Sequence, residues 1–133
     1  MSAALLFSDG GSRGNPGPAG AGFVLTQTDG TVLTSGNEAL GVTTNNIAEY
    51  TALIRGLEAA QQAGISDLSC YLDSELIVKQ LSGEYRVKKP ELKPLFAQVQ
   101  ALAKTFAAIR FTHIPREQNK EADRLANVAM DSA

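Results

Sequence analysis

The chain has 133 residues, of which 44% are hydrophobic and 20% charged, and its formal net charge is −2. This composition is typical of one soluble globular domain and excludes a protein that coats nucleic acid through bulk positive charge. The single cysteine excludes a disulfide framework and a cysteine-rich metal site. No stretch has the character of a signal peptide or the roughly 18 apolar residues of a membrane span, so we expect one cytoplasmic domain over residues 1–133.

The first third of the chain predicts three strands and the start of a helix. Residues 3–8 form a short apolar run, and residues 21–28 and 31–38 are joined by the turn Thr28-Asp29-Gly30-Thr31, a typical hairpin signal. The segment Thr43-Thr44-Asn45-Asn46 then supplies capping residues for a helix. Apolar residues recur at helical spacing after this segment, up to a closing Gly64.

The rest of the chain alternates helices and strands. Residues 67–72 predict a fourth strand that ends at Asp73, and residues 108–114 predict a fifth. The predicted helices lie over about 74–82, from Glu91 onward and over about 119–130. The order β-β-β-α-β-α-α-β-α predicts a mixed α/β sheet covered by helices, because strands that alternate with helices pair in parallel through right-handed crossovers. Ligands of such sheets bind beyond the carboxyl ends of the parallel strands.

Four acidic residues stand at the junctions of these elements. Asp9 follows the first strand and Asp73 the fourth, while Glu49 lies in the first turn of the first long helix and Asp123 one turn into the last. Each has an ordinary structural explanation, since Asp is common where strands stop and acids favour helix N-termini. The four acids together are harder to explain in this way.

If the four acids lie together at one sheet edge, their chemistry favours a metal site. If the first and fourth strands are parallel neighbours, Asp9 and Asp73 lie at the same edge. Carboxylates packed closely repel one another, and a divalent cation removes that cost. Sites made only of carboxylate oxygens suit Mg²⁺ and Mn²⁺ rather than zinc. The pattern therefore indicates a candidate metal site.

Four stretches carry a family resemblance: SDGGSRGNPGPAGAG, TTNNIAEYTAL, YLDSELIVKQL and HIPREQNKEADRLAN. In order and spacing they make the whole chain resemble a type 1 ribonuclease H. The segment LSGEYRVKKPELKPLFAQVQALA further resembles the short bacterial and archaeal branch, which lacks a basic, tryptophan-rich protrusion, and this chain has no Trp. The resemblance implies a ribonuclease H-like fold with the five-stranded sheet order 3-2-1-4-5, and weaker hybrid binding than in members with the protrusion.

The resemblance also implies an activity, an active site and a partner. It implies an endonuclease that hydrolyses the RNA strand of RNA–DNA hybrids and leaves 3′-hydroxyl and 5′-phosphate ends. The implied catalytic carboxylates and metal ligands are Asp9, Glu49, Asp73 and Asp123, with Asp9 bridging two metals because it lies on the central strand. The expected cofactor is Mg²⁺, with Mn²⁺ as a substitute and two ions in the substrate complex, and a monomer is expected.

Substrate-binding residues are expected around the glycine segment and the first helix. The resemblance places Asn15, Asn45 and Asn46 on the minor groove or backbone of the hybrid, and Thr44 on a phosphate of the DNA strand. Residues Gly10, Gly11 and Ser12 are expected to form a loop whose backbone approaches the substrate closely, because glycine has no side chain to prevent the approach. Asn119 completes this predicted set and is expected to orient its loop or cap the last helix.

The only histidine, His113, lies ten residues before Asp123, which is the spacing of the family histidine that assists proton transfer or product release. In this chain Ile114-Pro115-Arg116 follows it, in place of the flexible glycine-rich loop of the family. Two alternatives remain at this point. Either His113 assists turnover, or His113 is held in the fifth strand and Arg116 reaches the site instead.

Two other functions fit the same fold. One is a binding module that has lost catalysis, although the presence of all four acids argues against it. The other is a different nuclease of the superfamily, such as an integrase or a junction resolvase. The glycine- and asparagine-containing segment and the TTNN motif favour recognition of a hybrid.

Overall fold

The computed structural model describes residues 2–133 and contains five strands, four α-helices and one 3₁₀ turn. The strands are β1 (Ala3–Ser12), β2 (Gly17–Thr26), β3 (Val32–Thr43), β4 (Asp67–Leu72) and β5 (Ala108–His113). The helices are α1 (Asn45–Gln62), α2 (Glu75–Leu81), α3 (Lys93–Ala103) and α4 (Lys120–Asp131), and the 3₁₀ turn Arg116–Gln118 precedes α4. The sheet order is β3-β2-β1-β4-β5, which confirms the predicted fold.

The pairing of β1 with its two neighbours places the carboxyl ends of β1 and β4 side by side. β1 runs antiparallel to β2 and parallel to β4, and Ser8 pairs with Leu72 in the parallel register. Asp9 and Asp73 are the residues that follow this pair, so they lie at the same sheet edge, as predicted. β5 extends the sheet in parallel beyond β4.

The strands of the N-terminal meander are longer than the local sequence pattern predicts. β1 continues as far as Ser12, which pairs with Ala19, so Asp9 lies inside a strand rather than after one. The predicted loop at Gly10, Gly11 and Ser12 is therefore wrong, because these residues belong to the strand. Pairing with β2 explains the difference, because cross-strand hydrogen bonds override the low strand propensity of Asp and Gly. The predicted hairpin turn is present, with Gly30 at a φ of 93° and the Gln27 N–H bonded to the Thr31 carbonyl at 2.8 Å.

Helix α1 forms the main core against one face of the sheet. It begins where the Thr44 hydroxyl accepts a hydrogen bond from the Ile47 N–H at 3.3 Å, and its inner face is fully buried. Gly56 lets the helix lie close to β1, because a Cβ there would meet Leu6 Cδ1 at 2.6 Å. Burial of each large apolar side chain stabilises the fold by roughly 1.5–3 kcal/mol. The largest buried core side chains include Tyr50, Leu53, Ile54, Leu57, Leu68 and Leu72.

Helix α4 packs on the opposite face through small residues. A Cβ at Gly20 would lie 2.5 Å from the Ala126 carbonyl oxygen, and one at Gly22 would lie 2.7 Å from that of Ala122. These glycines allow the helix backbone to contact β2 directly, which brings the start of α4 beside β1. Among residues 2–133 there is no helix with the length and apolar character needed to cross a membrane.

Candidate active site

Asp9, Glu49 and Asp73 form a carboxylate cluster at the carboxyl ends of β1 and β4. One oxygen of each side chain lies within 4.8 Å of the others. Asp9 and Glu49 are only 7% and 8% exposed, and Asp73 is half-buried, so two of these three acids lie largely away from water. A turn-forming role does not account for a buried Asp9 in mid-strand.

The position of Glu49 in α1 differs from the prediction that it occupies the first turn. Helix α1 begins at Asn45, so Glu49 is its fifth residue and no acid lies in the first turn. The prediction is wrong because the cap is Thr44, which starts the helix before the last asparagine of the motif. Glu49 therefore faces inward toward Asp9 instead of stabilising the helix dipole.

Burial and mutual repulsion disfavour the charged forms of the cluster. The pKa of Asp9 rises from 3.8 to about 8, chiefly through burial and then through the charge of Asp73, with Asp123 contributing. The pKa of Glu49 is also raised, by burial first and then by the charges of Asp9 and Asp73, while the nearby Gly10 backbone acts in the opposite direction. A bound cation would relieve this repulsion.

The donor set fits a divalent cation. The Glu49 Oε2 atom is buried and has no hydrogen-bond partner among the described residues, and such an unpaired acceptor is costly in a protein interior. The atoms that converge are all carboxylate oxygens, the ligands preferred by Mg²⁺ and Mn²⁺. The three residues that could hold such an ion are Asp9, Glu49 and Asp73.

Asp123 lies beside this cluster rather than within it. It stands in the first turn of α4, and its carboxyl group contributes to the raised pKa of Asp9. The Arg116 Nη2 atom lies 3.4 Å from Asp123 Oδ1. The fourth predicted acid thus borders the cluster from the opposite face of the sheet.

An open cavity of about 500 Å³ surrounds the carboxylates. Most of the residues predicted for the site line it, namely Asp9, Gly10, Gly11, Ser12, Asn45, Asn46, Glu49, Asp73, Arg116 and Asp123. The remaining predicted residues, Asn15, Thr44, His113 and Asn119, are not among its lining residues.

Asn15 and Thr44 organise the rim of the cavity through hydrogen bonds. The Asn15 Oδ1 atom accepts the Asn45 N–H at 3.1 Å, and Thr44 caps α1. In turn, the Asn45 side-chain carbonyl accepts from the Ser12 N–H at 2.8 Å and from the Ser12 hydroxyl at 3.0 Å. The end of β1 and the start of α1 are therefore held as one unit.

Close packing of β1 against α1 explains why residue 10 is glycine. A Cβ at Gly10 would lie 2.2 Å from the Ala48 carbonyl oxygen of α1. Close packing against the helix is by itself enough to require glycine at this position, and the approach of a substrate to this backbone stays a prediction. Gly11 is less confined, since a Cβ there would meet Met130 Cε at 3.6 Å.

Asn119 is buried, which corrects its predicted role in substrate contact. It is 1% exposed, and although it stands at the N-cap position of α4 its side chain makes no capping bond. The Asn119 Nδ2 group instead donates to the Ser8 carbonyl at 2.9 Å and lies 3.4 Å from Asp73 Oδ2. Asn119 therefore joins the start of α4 to the edge of the sheet that carries the carboxylate cluster.

The two residues that the sequence offers for turnover lie in different places. His113 is the last residue of β5, paired with Leu72, whereas Arg116 stands in the 3₁₀ turn and lines the cavity. The role of either residue in turnover stays a prediction.

Four lining residues were not predicted: Arg13, Ser74, Asn127 and Met130. Asn127 stands one helical turn after Asp123, and its Nδ2 group donates to the Asp123 carbonyl at 2.9 Å, so helical spacing could have identified it. Ser74 caps α2 by accepting from the Ile77 N–H. Neither Arg13 nor Met130 carries a signal that the sequence pattern makes evident.

Comparison with known proteins gives one consistent family. Residues 7–129 match a family model described as "Reverse transcriptase-like". The chain is 50% identical over 130 residues to "Bifunctional protein Rv2228c" of Mycobacterium tuberculosis, covering 97% of this chain and 36% of that protein. It is 44% identical over 127 residues to "Ribonuclease HI" of Halobacterium salinarum, covering 96% of this chain and 64% of that protein. The chain therefore spans about a third to two thirds of the length of these relatives.

The chain is also similar to a solved structure. The crystal structure of LC11-RNase H1 in complex with an RNA/DNA hybrid superposes with a TM-score of 0.91 at 45% identity, covering 97% of both chains.

Proposed function

The chain belongs to the ribonuclease H family of reverse-transcriptase-like domains, and we propose that it is an endonuclease that hydrolyses the RNA strand of RNA–DNA hybrids. The observation that carries the proposal is the meeting of Asp9, Glu49 and Asp73 in an open cavity. The related LC11-RNase H1, which binds an RNA/DNA hybrid, supports the hybrid as the substrate. The proposed products carry 3′-hydroxyl and 5′-phosphate ends.

Asp9, Glu49 and Asp73 are proposed to hold Mg²⁺, with Mn²⁺ able to substitute, and Asp123 to help hold a second ion in the substrate complex. The unpartnered Glu49 Oε2 supports this assignment. When bound, such ions would supply stabilisation of the charge that develops on the attacking and leaving oxygens. Asp9 would be a ligand of both ions, because it lies on the central strand between the other acids.

The protein's own groups position the catalytic carboxylates. Asn119 links β1 to α4 through the Ser8 carbonyl, and close packing of Gly10 against the Ala48 carbonyl fixes the distance between β1 and the part of α1 that carries Glu49. Arg116 pairs with Asp123 and is the proposed residue for assisting turnover. Its guanidinium supplies positive charge at the rim where a phosphate must enter.

The rim residues are proposed to recognise the hybrid. Asn45, Asn46 and Ser12 line the cavity with polar groups, and groups of this kind distinguish RNA from DNA through the 2′-hydroxyl. Asn15 acts through Asn45, and Thr44 fixes the first turn of α1.

The test is a set of cleavage assays on matched hybrid, RNA duplex and DNA duplex, with Mg²⁺ or Mn²⁺. We expect cleavage of the RNA strand in the hybrid, loss of cleavage with EDTA, and loss in Asp9→Asn with the fold retained by circular dichroism. Hybrid binding without metal-dependent cleavage by the wild type would favour a binding module. Equal cleavage of the DNA duplex would favour another nuclease of the superfamily.

A further inference from the structure

Arg13 brings a positive charge to the rim of the carboxylate cavity. It stands four residues after Asp9 and lines the same cavity. Within residues 2–133 the cationic residues that line this cavity are Arg13 and Arg116, and Arg116 already pairs with Asp123. A cavity rich in carboxylates repels a nucleic-acid phosphate, and a cation at its edge reduces that repulsion.

The backbone of Arg13 is held in place relative to the acids. Its N–H donates to the Pro18 carbonyl at 2.9 Å, and the preceding Ser12 is bonded to Asn45 at the start of α1. Four extended residues span at most about 14 Å, which limits the distance from Asp9. The guanidinium therefore reaches only phosphates within a few nucleotides of the carboxylate cluster.

The partner that the Arg13 guanidinium has in the structure is easily exchanged. Its Nη1 group pairs with the carboxylate of Asp131 at the C-terminal end of α4, and the two side chains are 49% and 63% exposed. An ion pair this exposed stabilises a protein little. A phosphate offers the same guanidinium a charged, bidentate acceptor. Asp131 does not belong to the carboxylate cluster, so the exchange leaves the proposed metal ligands undisturbed.

We propose that Arg13 binds a phosphate of the RNA strand that is cut, and that Asp131 competes with this phosphate when no substrate is bound. This inference rests on the proposed function. It assigns Arg13 to the cut strand because the cavity that it lines is the one in which that strand must lie.

The test compares Arg13→Ala, Arg13→Lys and Asp131→Asn with the wild type in steady-state hybrid cleavage at several salt concentrations. The matched control is Arg124→Ala, which removes an arginine that pairs with Glu121 on the same helix but does not line the cavity. We expect Arg13→Ala to raise KM about five- to tenfold and to leave kcat unchanged. Loss of one phosphate contact should also reduce the slope of log KM against log salt by about 0.7–0.9.

The Asp131→Asn variant distinguishes two roles of the ion pair with Arg13, namely competition with a substrate phosphate and stabilisation of the fold. If Asp131 competes with phosphate, this variant lowers KM about two- to threefold at low salt, and it has no effect in the Arg13→Ala background. If the pair only stabilises the fold, Arg13→Ala and Asp131→Asn lower the Tm alike and leave the salt slope unchanged. That second result, or an equal rise in KM for Arg124→Ala, would overturn the inference.

A binding measurement tests this inference separately from the proposed function, because it does not depend on cleavage. Fluorescence anisotropy with a labelled hybrid gives the Kd of Asp9→Asn and of Asp9→Asn/Arg13→Ala, for which no cleavage is needed. A weaker Kd with a reduced salt slope in the double variant supports the phosphate contact even if the wild type does not cut. An unchanged Kd and salt slope would overturn the contact even if the wild type cuts the hybrid.

Discussion

The side-chain amide of Asn119 donates a hydrogen bond to the backbone carbonyl of Ser8 across 2.9 Å. Ser8 precedes Asp9, so one buried bond joins the start of α4 to the strand that carries the central carboxylate. The two residues are 111 positions apart in the chain. The relative position of Asp9 and Asp123 therefore depends on a contact between the two ends of the sequence.

Asn119→Ala is expected to destabilise the fold and lower kcat. It leaves the buried Ser8 carbonyl without its side-chain donor, which costs about 1–3 kcal/mol. The free energy of unfolding from urea titration measures this cost, and kcat should fall more than KM changes. The control is Asn37→Ala, which removes an exposed amide-to-carbonyl bond to Leu125. An equal, small effect in both variants would show that the Asn119 bond has no special role.

Gly10→Ala is expected to be far more damaging than Gly11→Ala. A Cβ at Gly10 would overlap the Ala48 carbonyl oxygen, while one at Gly11 makes only ordinary contacts. Overpacking against helix backbone costs about 3 kcal/mol or more, compared with about 1 kcal/mol or less at Gly11. Chemical denaturation of the purified variants measures the difference. Equal stability of the two variants would contradict the close packing of β1 and α1.

The stability of the metal-free protein is expected to fall as the pH rises. The pKa of Asp9 is about 8 in the folded protein and 3.8 in its ordinary state, so the folded state binds more protons between these values. The stabilisation is present below pH 3.8 and is lost as the pH rises through 8. Thermal unfolding in EDTA between pH 5 and pH 8.5 measures this trend.

Asp9→Asn is expected to flatten that pH dependence. The neutral amide cannot acquire the unfavourable charge, so at pH 8 without metal the variant should have the higher Tm. Glu91→Gln, at an exposed position, makes the same change in net charge and should follow the wild type. A lower Tm for Asp9→Asn than for the wild type at pH 8 would contradict the raised pKa.

Mg²⁺ or Mn²⁺ is expected to stabilise the protein through the three-carboxylate cluster. At a metal concentration of one hundred times Kd the gain in unfolding free energy is about 2.7 kcal/mol. Asp9→Asn, Glu49→Gln and Asp73→Asn should each weaken metal binding about tenfold or more. Asp123→Asn should weaken it less without substrate, because Asp123 lies outside the cluster. Calorimetric titration measures these values, and an equal loss in all four variants would contradict this ranking.

Arg116→Ala is expected to reduce kcat about tenfold or more, and His113→Ala to leave turnover intact. The reason is that Arg116 lines the cavity while His113 ends a paired strand. Single-turnover and steady-state rates on a hybrid measure the two variants. A large loss in His113→Ala alone would restore the histidine as the residue that assists turnover.

The order of the elements along the chain could be predicted from the sequence, because apolar runs of strand length and the hairpin turn around Gly30 define them. Connection rules predict parallel pairing for the later strands, whereas the sheet order 3-2-1-4-5 was implied by the family resemblance. The shared edge of Asp9 and Asp73 follows from that order, because it makes β1 and β4 parallel neighbours. The depth of Glu49 in α1 could not be predicted, because TTNN contains several residues able to cap a helix. Only the observed bond between Thr44 and Ile47 selects one of them.

The sequence by itself determined the order of the elements and the chemical type of the candidate site, because periodicity and residue type are local properties of the chain. The tertiary structure decided which neighbour each residue meets. It packs Gly10 against the Ala48 carbonyl and buries the side-chain amide of Asn119 against the Ser8 carbonyl of β1. It also places Arg13 beside Asp131 at the rim of the carboxylate cavity. These contacts join residues distant in the chain, and they form only when the helices pack on both faces of the sheet.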